Sequence, residues 1–216
     1  MANFEDIKKV MSNVKAGFVK SRELTKEETH NTSKQIMDSA WSKFEELINL
    51  IAQEFYNYPP EKKYKVFTPE FSLFQSILVE LVKAVQNSFR LAEEGYYRSA
   101  FGELRDILEL IMKIKLFYVS TEDFKKWHED PHKLYTTGDM RSLPFFQKSG
   151  LNSEIEKLSK ALSNNRHCSS ATLDSKGPVM TNICYFRQDL FEKYCKHVIL
   201  LTDLCVKIIK HQQKDC

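Results

Sequence analysis

Apolar residues recur every three or four positions near the start of the chain, which is the period of a helix with one buried face. The first run consists of Phe4, Ile7, Val10, Met11, Val14 and Phe18. We expect its helix to end near Arg22, because Thr25 and Glu28 have the spacing of a capping box. The second run reaches Phe55, before two consecutive prolines. Residues 1–58 are therefore predicted to form a helical pair.

The middle of the chain carries clear helix signals. Thr68-Pro69-Glu70 supplies a cap, a proline at the first helical position and a first-turn acid, so we expect a helix that ends at Gly95. The next segment, 96–119, is apolar on nearly every side. A helix of this kind is packed by several neighbours, so 96–119 is predicted to be the central helix.

The following segment predicts one short helix and a long connection. Thr121 has the position of a cap for a helix through Trp127. Two glycines and a proline then interrupt the pattern, which predicts an irregular lid or linker. We expect this loop at about 130–152.

The last part of the chain predicts a helix, a second loop and a final helix. Ser153 and the glutamate three residues later form another capping-box pattern, and the helix is expected to stop at Asn164 or Asn165. A loop over about 164–182 is longer than most loops in compact domains. The final helix is expected to run from there to His211.

These elements predict an all-α fold. We expect a single helical domain over 1–216, in which the helical pair precedes a bundle over 68–212, with about five long helices plus short ones. Only six glycines and six prolines are present, too few for a fold with many turns. The 32 basic and 29 acidic residues give a net charge of +3, which does not commit the whole surface to an anion.

The distribution of cysteine and apolar residues favours a cytoplasmic protein. Five cysteines occur without a Cys-x-x-Cys pair, so we expect reduced thiols. The first residues lack the apolar segment of a secretory signal. The longest uncharged stretch, 177–186, is ten residues long, whereas a membrane span needs about twenty apolar residues. We expect a soluble protein with no membrane partner and no cofactor.

One short run matches a zinc-hydrolase pattern. His128-Glu129-Asp130-Pro131-His132 has the form H-E-x-x-H, in which two histidines one helical turn apart hold zinc. Pro131 cannot continue a helix and disfavours helical backbone at the preceding residue. We therefore interpret the run as a polar helix end and predict no metal site.

The predicted central helix carries a polar stripe. Arg98, Gly102, Arg105 and Glu109 fall within an arc of about 60°. Arg105 and Glu109, one turn apart, are candidates for an ion pair, because a buried arginine is costly unless it is paired. The same stripe also fits an anion or substrate site, and the sequence leaves both interpretations open.

A second candidate region surrounds His167. The stretch from Leu162 to His167 leads into the long predicted loop, and such loops are often functional. Between Lys157 and Lys196 there are seven basic and three acidic residues, a local excess that favours phosphate. For His167 on its own, an exposed or capping role is more common than a catalytic one.

Two groups of residues resemble the HEPN-like helical proteins. The first is the run Ala92-Glu93-Glu94-Gly95-Tyr96-Tyr97-Arg98-Ser99-Ala100 followed by Arg105-x-x-x-Glu109, and the second is Leu162-Ser163 before His167. The resemblance covers about residues 70–210 and is closest to a branch of unknown function. HEPN-like proteins are helical bundles, often dimeric, from toxin–antitoxin and other defence systems. Many are metal-independent endoribonucleases.

The resemblance implies RNA or a nucleotide as ligand, a homodimer and a defence or stress context. By this resemblance the catalytic candidates are Arg105, Glu109 and His167, and the ligand-binding candidates are Arg98, Ser163 and Arg166. In a chemically consistent arrangement Arg105 binds a phosphate and stabilises developing charge, and His167 acts as acid or base. Glu109 orients one of the two.

The usual catalytic motif of the family, an arginine with a histidine a few residues later, is not present in that form. Arg166 directly precedes His167, and nine residues separate Arg187 from His197. RNA binding with cleavage and binding alone both stay open. The alternative from another class is a non-catalytic helical module whose apolar grooves bind a protein partner or a small apolar ligand.

Overall fold

The computed structural model describes residues 4–56, 69–130, 136–166 and 187–211. Within these ranges the chain forms eight α-helices, five long and three short, and no β-strand. This confirms the predicted all-α fold. The helices are α1 (Phe4–Tyr56), α2 (Pro69–Glu93), α3 (Tyr97–Val119), α4 (Thr121–Glu129), α5 (Thr137–Ser142), α6 (Pro144–Lys148), α7 (Asn152–Arg166) and α8 (Gln188–Lys210).

α3 lies at the centre of the bundle, as its apolar sequence predicts. It packs against α2, α7 and α8, and also against the short α4 and α5. Its buried apolar side chains face several neighbours, and they include Ala100, Phe101, Leu104, Ile107, Leu108, Ile111, Met112, Ile114, Leu116 and Phe117. Full burial of a large apolar side chain contributes about 1.5–3 kcal/mol. α3 is therefore the helix against which α2, α7 and α8 all pack.

α1 does not break where the sequence predicts. The helix continues past Arg22, and its only described residue with non-helical backbone is Ser33 (φ −128°, ψ 19°). The capping box predicted at Thr25 is wrong, because the Thr29 hydroxyl donates to the Thr25 carbonyl over 2.8 Å inside the helix. No glycine or proline stands between Arg22 and Thr25 to end the helix. The two parts of α1 meet instead at Ser33.

The turn between α2 and α3 confirms the predicted stop at Gly95. Gly95 has φ 80°, a left-handed conformation that glycine adopts readily. Its N–H donates to the Ala92 carbonyl over 3.1 Å, and the Tyr96 N–H donates to the Leu91 carbonyl over 2.7 Å. These two bonds form a Schellman motif, which satisfies the last carbonyls of α2.

The segment predicted as an irregular lid or linker at about 130–152 contains α5 and α6, so that prediction is wrong for residues 137–148. α5 begins with a capping box in which the Thr136 side chain accepts from the Asp139 N–H and the Asp139 carboxylate accepts from the Thr136 N–H. Met140, Phe145 and Phe146 are buried. Their burial holds these short helices against the core. Residues 131–135 lie outside the described ranges.

Two other helices, α4 and α7, have boundaries that differ from the sequence predictions. Ser120, rather than Thr121, caps α4, and its hydroxyl accepts a backbone N–H three residues on. α7 begins at Asn152, ahead of the predicted cap at Ser153, and extends through Arg166. The predicted stop one or two residues before Arg166 is therefore wrong. A helix boundary is set by small competing hydrogen bonds, which sequence spacing does not resolve.

α8 begins later than predicted, at Gln188, because Arg187 has extended backbone. The Arg187 N–H donates to the Tyr97 hydroxyl over 3.1 Å, which ties the start of α8 to the first residue of α3. At the other end, the buried Lys115 ammonium donates to the Ile209 carbonyl over 2.6 Å. The central helix thus contacts both ends of α8.

None of the described helices has the length and apolar composition required to cross a bilayer. Even α3, the most buried helix, carries charged residues, among them Arg98, Arg105 and Lys115.

Candidate functional site

Arg105 lies near the middle of α3 and is half-buried. Its guanidinium Nε is buried without a hydrogen-bond partner among the described residues. No described carboxylate forms an ion pair with this side chain. Removing a cation partly from water without a counter-charge costs free energy. Arg105 is therefore suited to an anionic ligand.

Glu109 does not form the predicted ion pair with Arg105. Its Oε1 accepts from the Lys113 ammonium over 2.9 Å, and the two side chains are 21% and 14% exposed. Both cations are one helical turn from Glu109, on opposite sides. A glutamate that precedes lysine by four residues is the better orientation on a helix, and a basic residue that precedes glutamate is the poorer one. Glu109 therefore neutralises Lys113 rather than Arg105.

The other members of the polar stripe lie in different environments. Arg98 is exposed in the first turn of α3, whereas Gly102 is buried. Arg105 is intermediate between these two residues in exposure, with a buried Nε and a half-buried side chain. The stripe thus passes from solvent at Arg98 into the core and back to a partly exposed surface.

The predicted residues of the second region are described only in part. Ser163 is half-buried on α7, which packs against α3. Arg166 is the last residue of α7, and its side chain lies outside the described residues, as does His167. The hypothesis that Arg105, Glu109 and His167 form one site stays a prediction. Ser163 and Arg105 are on neighbouring helices of the bundle.

A polar contact between α7 and α8 was not foreseen from the sequence. The Lys193 ammonium donates to Asn165 Oδ1 over 2.7 Å, and Asn165 Nδ2 donates to the Ala161 carbonyl over 2.8 Å. Asn165 is only 6% exposed. Because both polar atoms of the amide are bonded, its orientation is fixed. The amide therefore holds the Lys193 ammonium at the junction of α7 and α8.

His197 lies one turn after Lys193 and also contacts α3. Its ring packs against Phe101 edge-to-face at 5.4 Å between centroids, and its Nδ1 lies 2.7 Å from the Lys193 carbonyl. Burial is the main cause that lowers the pKa of His197, and the Lys193 ammonium acts in the same direction. A carbonyl only accepts hydrogen bonds, so the neutral ring carries its proton on Nδ1. Nε2 is then the acceptor.

We call four residues on three packed helices the basic seam: Arg105 of α3, Asn165 of α7, and Lys193 and His197 of α8. Asn165 and Lys193 are bonded to each other, and His197 contacts Phe101, which lies one turn before Arg105 on α3. The seam contains a guanidinium, an ammonium and a neutral imidazole. Groups of the first two kinds can bind anions, and a neutral imidazole can accept a proton.

Sequence reasoning considered His197 only as a distant partner of Arg187 and did not single out Asn165 or Lys193. The sequence feature that indicates a buried His197 is its position in the apolar pattern of α8, between Tyr194 and Val198, both of which are buried. A histidine on such a face is partly buried and has a shifted pKa.

The zinc-like run does not form a helical metal site in the described part of the chain. α4 ends at Glu129, and Asp130 has non-helical backbone (φ −135°, ψ 79°). Pro131 and His132 lie outside the described residues. No group of three or more His, Cys, Asp or Glu residues among those described is arranged to hold a metal ion.

The cysteines of α8 do not add a nucleophile to the seam. Cys195 and Cys205 are free and buried. Burial raises the pKa of Cys195 to about 12 and raises that of Cys205 as well. The thiolate is the reactive form, so both side chains serve as apolar packing at neutral pH.

No family model, no curated protein and no solved structure matches this chain.

Proposed function

We propose that this chain is an HEPN-like helical protein that binds phosphate groups of RNA or of a nucleotide at the basic seam, in a defence or stress response. One observation carries the proposal. Arg105 has a buried Nε without a partner, and the nearest carboxylate on its own helix face, Glu109, is bonded to Lys113. The protein supplies no counter-charge for this guanidinium among the described residues. A phosphate supplies one.

The chemistry of the seam supports a phosphate in particular. A guanidinium presents parallel N–H donors that match phosphate oxygens, and an ammonium adds a point charge. Lys193 is held in place by Asn165, so less side-chain freedom is lost when it binds a ligand. The seven basic and three acidic residues from 157 to 196 give this part of the chain a local excess of positive charge, which favours a polyanion.

Metal-independent RNA cleavage is the second part of the proposal. Such cleavage needs groups that take up and supply protons, together with a cation at the developing charge. The HEPN-like resemblance assigns proton transfer to His167 and charge stabilisation to Arg105. The neutral imidazole of His197 gives the described seam its own proton acceptor. Arg98, Ser163 and Arg166 are proposed as further contacts to the ligand.

Fluorescence anisotropy with a single-stranded RNA oligonucleotide tests the binding. We expect Arg105→Ala to weaken binding about tenfold or more, because hydrogen bonds to charged groups contribute about 1.5–3 kcal/mol. The slope of log affinity against log salt should fall by about one, because one phosphate contact is lost.

Lys83→Ala is the matched control, since it removes one positive charge from an exposed lysine that already pairs with Glu80. Its affinity should stay within about twofold of the parent protein, because one distant surface charge is largely screened. Absence of RNA binding at low salt would instead favour a helical module with a protein or small-molecule partner. Equal losses in both variants would show non-specific attraction only.

Cleavage is tested separately, by incubating the RNA with chelator-treated protein. We expect His167→Ala to abolish cleavage while binding is retained, and His197→Ala to reduce it. His30→Ala, an exposed histidine of α1, is the control and should cleave normally. Binding without cleavage by the parent protein would remove the second part of the proposal and leave the first.

A further inference from the structure

The buried face of α1 changes its chemistry at Ser33. Before Ser33, the buried side chains among those described are Thr25 and Thr29, and Ser33 itself is buried. After it, the buried face continues with Met37, Ala40, Phe44, Leu47 and Ile51. Small hydroxyl side chains bury little apolar area, and Leu24 is exposed, so residues 22–31 gain much less from the hydrophobic effect than residues 37–51.

The same residue interrupts the helix. Ser33 has non-helical φ and ψ, and its hydroxyl is buried without a hydrogen-bond partner among the described residues. A buried polar group without a partner costs free energy. The interruption uncouples the hydrogen-bond ladder on its two sides, so that one part of α1 can move while the other stays packed.

Residues 22–31 of α1 are held by a charged clamp, formed by Glu94 with Lys26 and Arg22. Glu94, the residue before Gly95, is only 7% exposed, and its Oε1 lies 3.2 Å from the Lys26 ammonium and 3.9 Å from Arg22 Nε. The neighbouring Glu93 is also partly buried, and burial raises its pKa while Lys26 and His30 lower it. The turn after α2 is therefore acidic, and the facing part of α1 is basic.

We propose that residues 22–32 form an arm of α1 that undocks about Ser33, and that the clamp of Glu94 with Lys26 and Arg22 keeps it docked. Undocking exposes the buried Glu94 carboxylate and the acidic turn while residues 37–51 remain packed. This inference is independent of RNA binding.

Native-state hydrogen exchange on the full chain, read by mass spectrometry, tests the arm. In the parent protein, amides of residues 22–31 should exchange much faster than those of 37–51, because they open in a smaller unit. Glu94→Gln keeps the shape of the side chain and removes its charge. We expect it to accelerate exchange of 22–31 by about fivefold, the factor for a pair that contributes about 1 kcal/mol, and to leave 37–51 unchanged.

Asp203→Asn is the matched control, because Asp203 pairs with Lys43 beyond Ser33 and is exposed. It should not accelerate exchange of residues 22–31. Arg22→Gln, whose Nε is farther from Glu94, should have a smaller effect than Lys26→Gln. Acceleration of both segments by Glu94→Gln would overturn the proposal, since α1 would then open as one unit. No acceleration of either segment would overturn the clamp.

Ser33→Ala provides a second variant in which the fold is not weakened. Alanine removes the unpartnered hydroxyl and has the higher helix propensity. We expect slower exchange of residues 22–31, because the arm becomes coupled to the packed part of α1. Unchanged or faster exchange in this variant would show that Ser33 is not the hinge.

Discussion

Glu94 is a buried charged side chain and Arg105 a half-buried one, and the bundle surrounds them differently. Glu94 lies at the end of α2 and faces two cations of α1. Arg105 lies on the central helix with a buried Nε that no described residue satisfies. The chain supplies counter-charges for Glu94. It supplies none for Arg105 among the described residues, and there we propose a ligand.

This difference predicts opposite effects on stability. Removing a charge that has its partners strands them and destabilises the folded state, whereas removing an unpaired buried charge relieves a cost. A substitution of Arg105 should therefore raise stability while it weakens binding. A substitution of Glu94 should lower stability. Four measurements address this contrast, and the largest expected effect concerns Glu94.

Glu94→Ala should lower the free energy of unfolding by about 2 kcal/mol, measured by urea denaturation. The figure lies below the 3–5 kcal/mol typical of a fully buried pair, because Lys26 is 44% exposed and is screened by water. Asp203→Ala, which removes an exposed carboxylate, is the control and should cost about 0.5 kcal/mol or less. Equal losses in the two variants would mean that burial of Glu94 has no energetic consequence.

Arg105→Met should raise the free energy of unfolding by about 1 kcal/mol while RNA affinity falls. Methionine retains much of the apolar stem and removes the unpaired guanidinium. Binding sites commonly trade stability for function in this way. Thermal denaturation without RNA measures the effect. A loss of about 1 kcal/mol or more would make Arg105 a structural residue and remove the contrast with Glu94.

Glu109→Ala should cost about 1 kcal/mol, because it strands Lys113 in a partly buried position. A double-mutant cycle locates the interaction. Glu109 and Lys113 should show a coupling energy of about 0.5–1 kcal/mol, and Glu109 and Arg105 should show none. Coupling to Arg105 instead of Lys113 would restore the ion pair that the sequence suggested.

The smallest effect is a dependence of stability on pH at His197. Its folded pKa is lowered by burial, so the unfolded chain takes up the proton first as the pH falls. The contribution of neutral His197 is therefore present above its unfolded pKa of about 6.5 and is lost as the pH falls toward the lower folded value. His197→Gln should flatten this part of the curve of unfolding free energy against pH. An NMR titration that gave a pKa above 6.5 would contradict the burial of this ring.

The fold was largely predictable because the spacing of apolar residues indicates helices and a glycine indicates where a helix ends. The segment 96–119 is apolar on nearly every side, as a central helix requires, and Gly95 provides the left-handed residue that ends α2. The break in α1 was misplaced for a physical reason. Thr25 and Glu28 have the spacing of a capping box. Thr25 nevertheless lies inside the helix, where its carbonyl accepts a hydrogen bond from the Thr29 hydroxyl.

The site was less predictable because it depends on contacts across the bundle. Sequence spacing places Glu109 one turn from both Arg105 and Lys113, and it does not decide between them. Asn165 and Lys193 are far apart along the chain, and only the packing of α7 against α8 joins them. The role proposed for His167 lies outside the described residues and stays a prediction.

The contact between Lys115 and Ile209 sets how far the protein tolerates shortening from its C-terminal side. The buried ammonium donates to the carbonyl of the penultimate helical residue of α8, where the helix dipole is negative. Removal of residues 212–216 leaves this carbonyl in place. Truncation before Ile209 removes the carbonyl that accepts from the buried Lys115 ammonium. A fusion partner attached after His211 therefore keeps this acceptor of the Lys115 ammonium, whereas a chain that ends before Ile209 loses it.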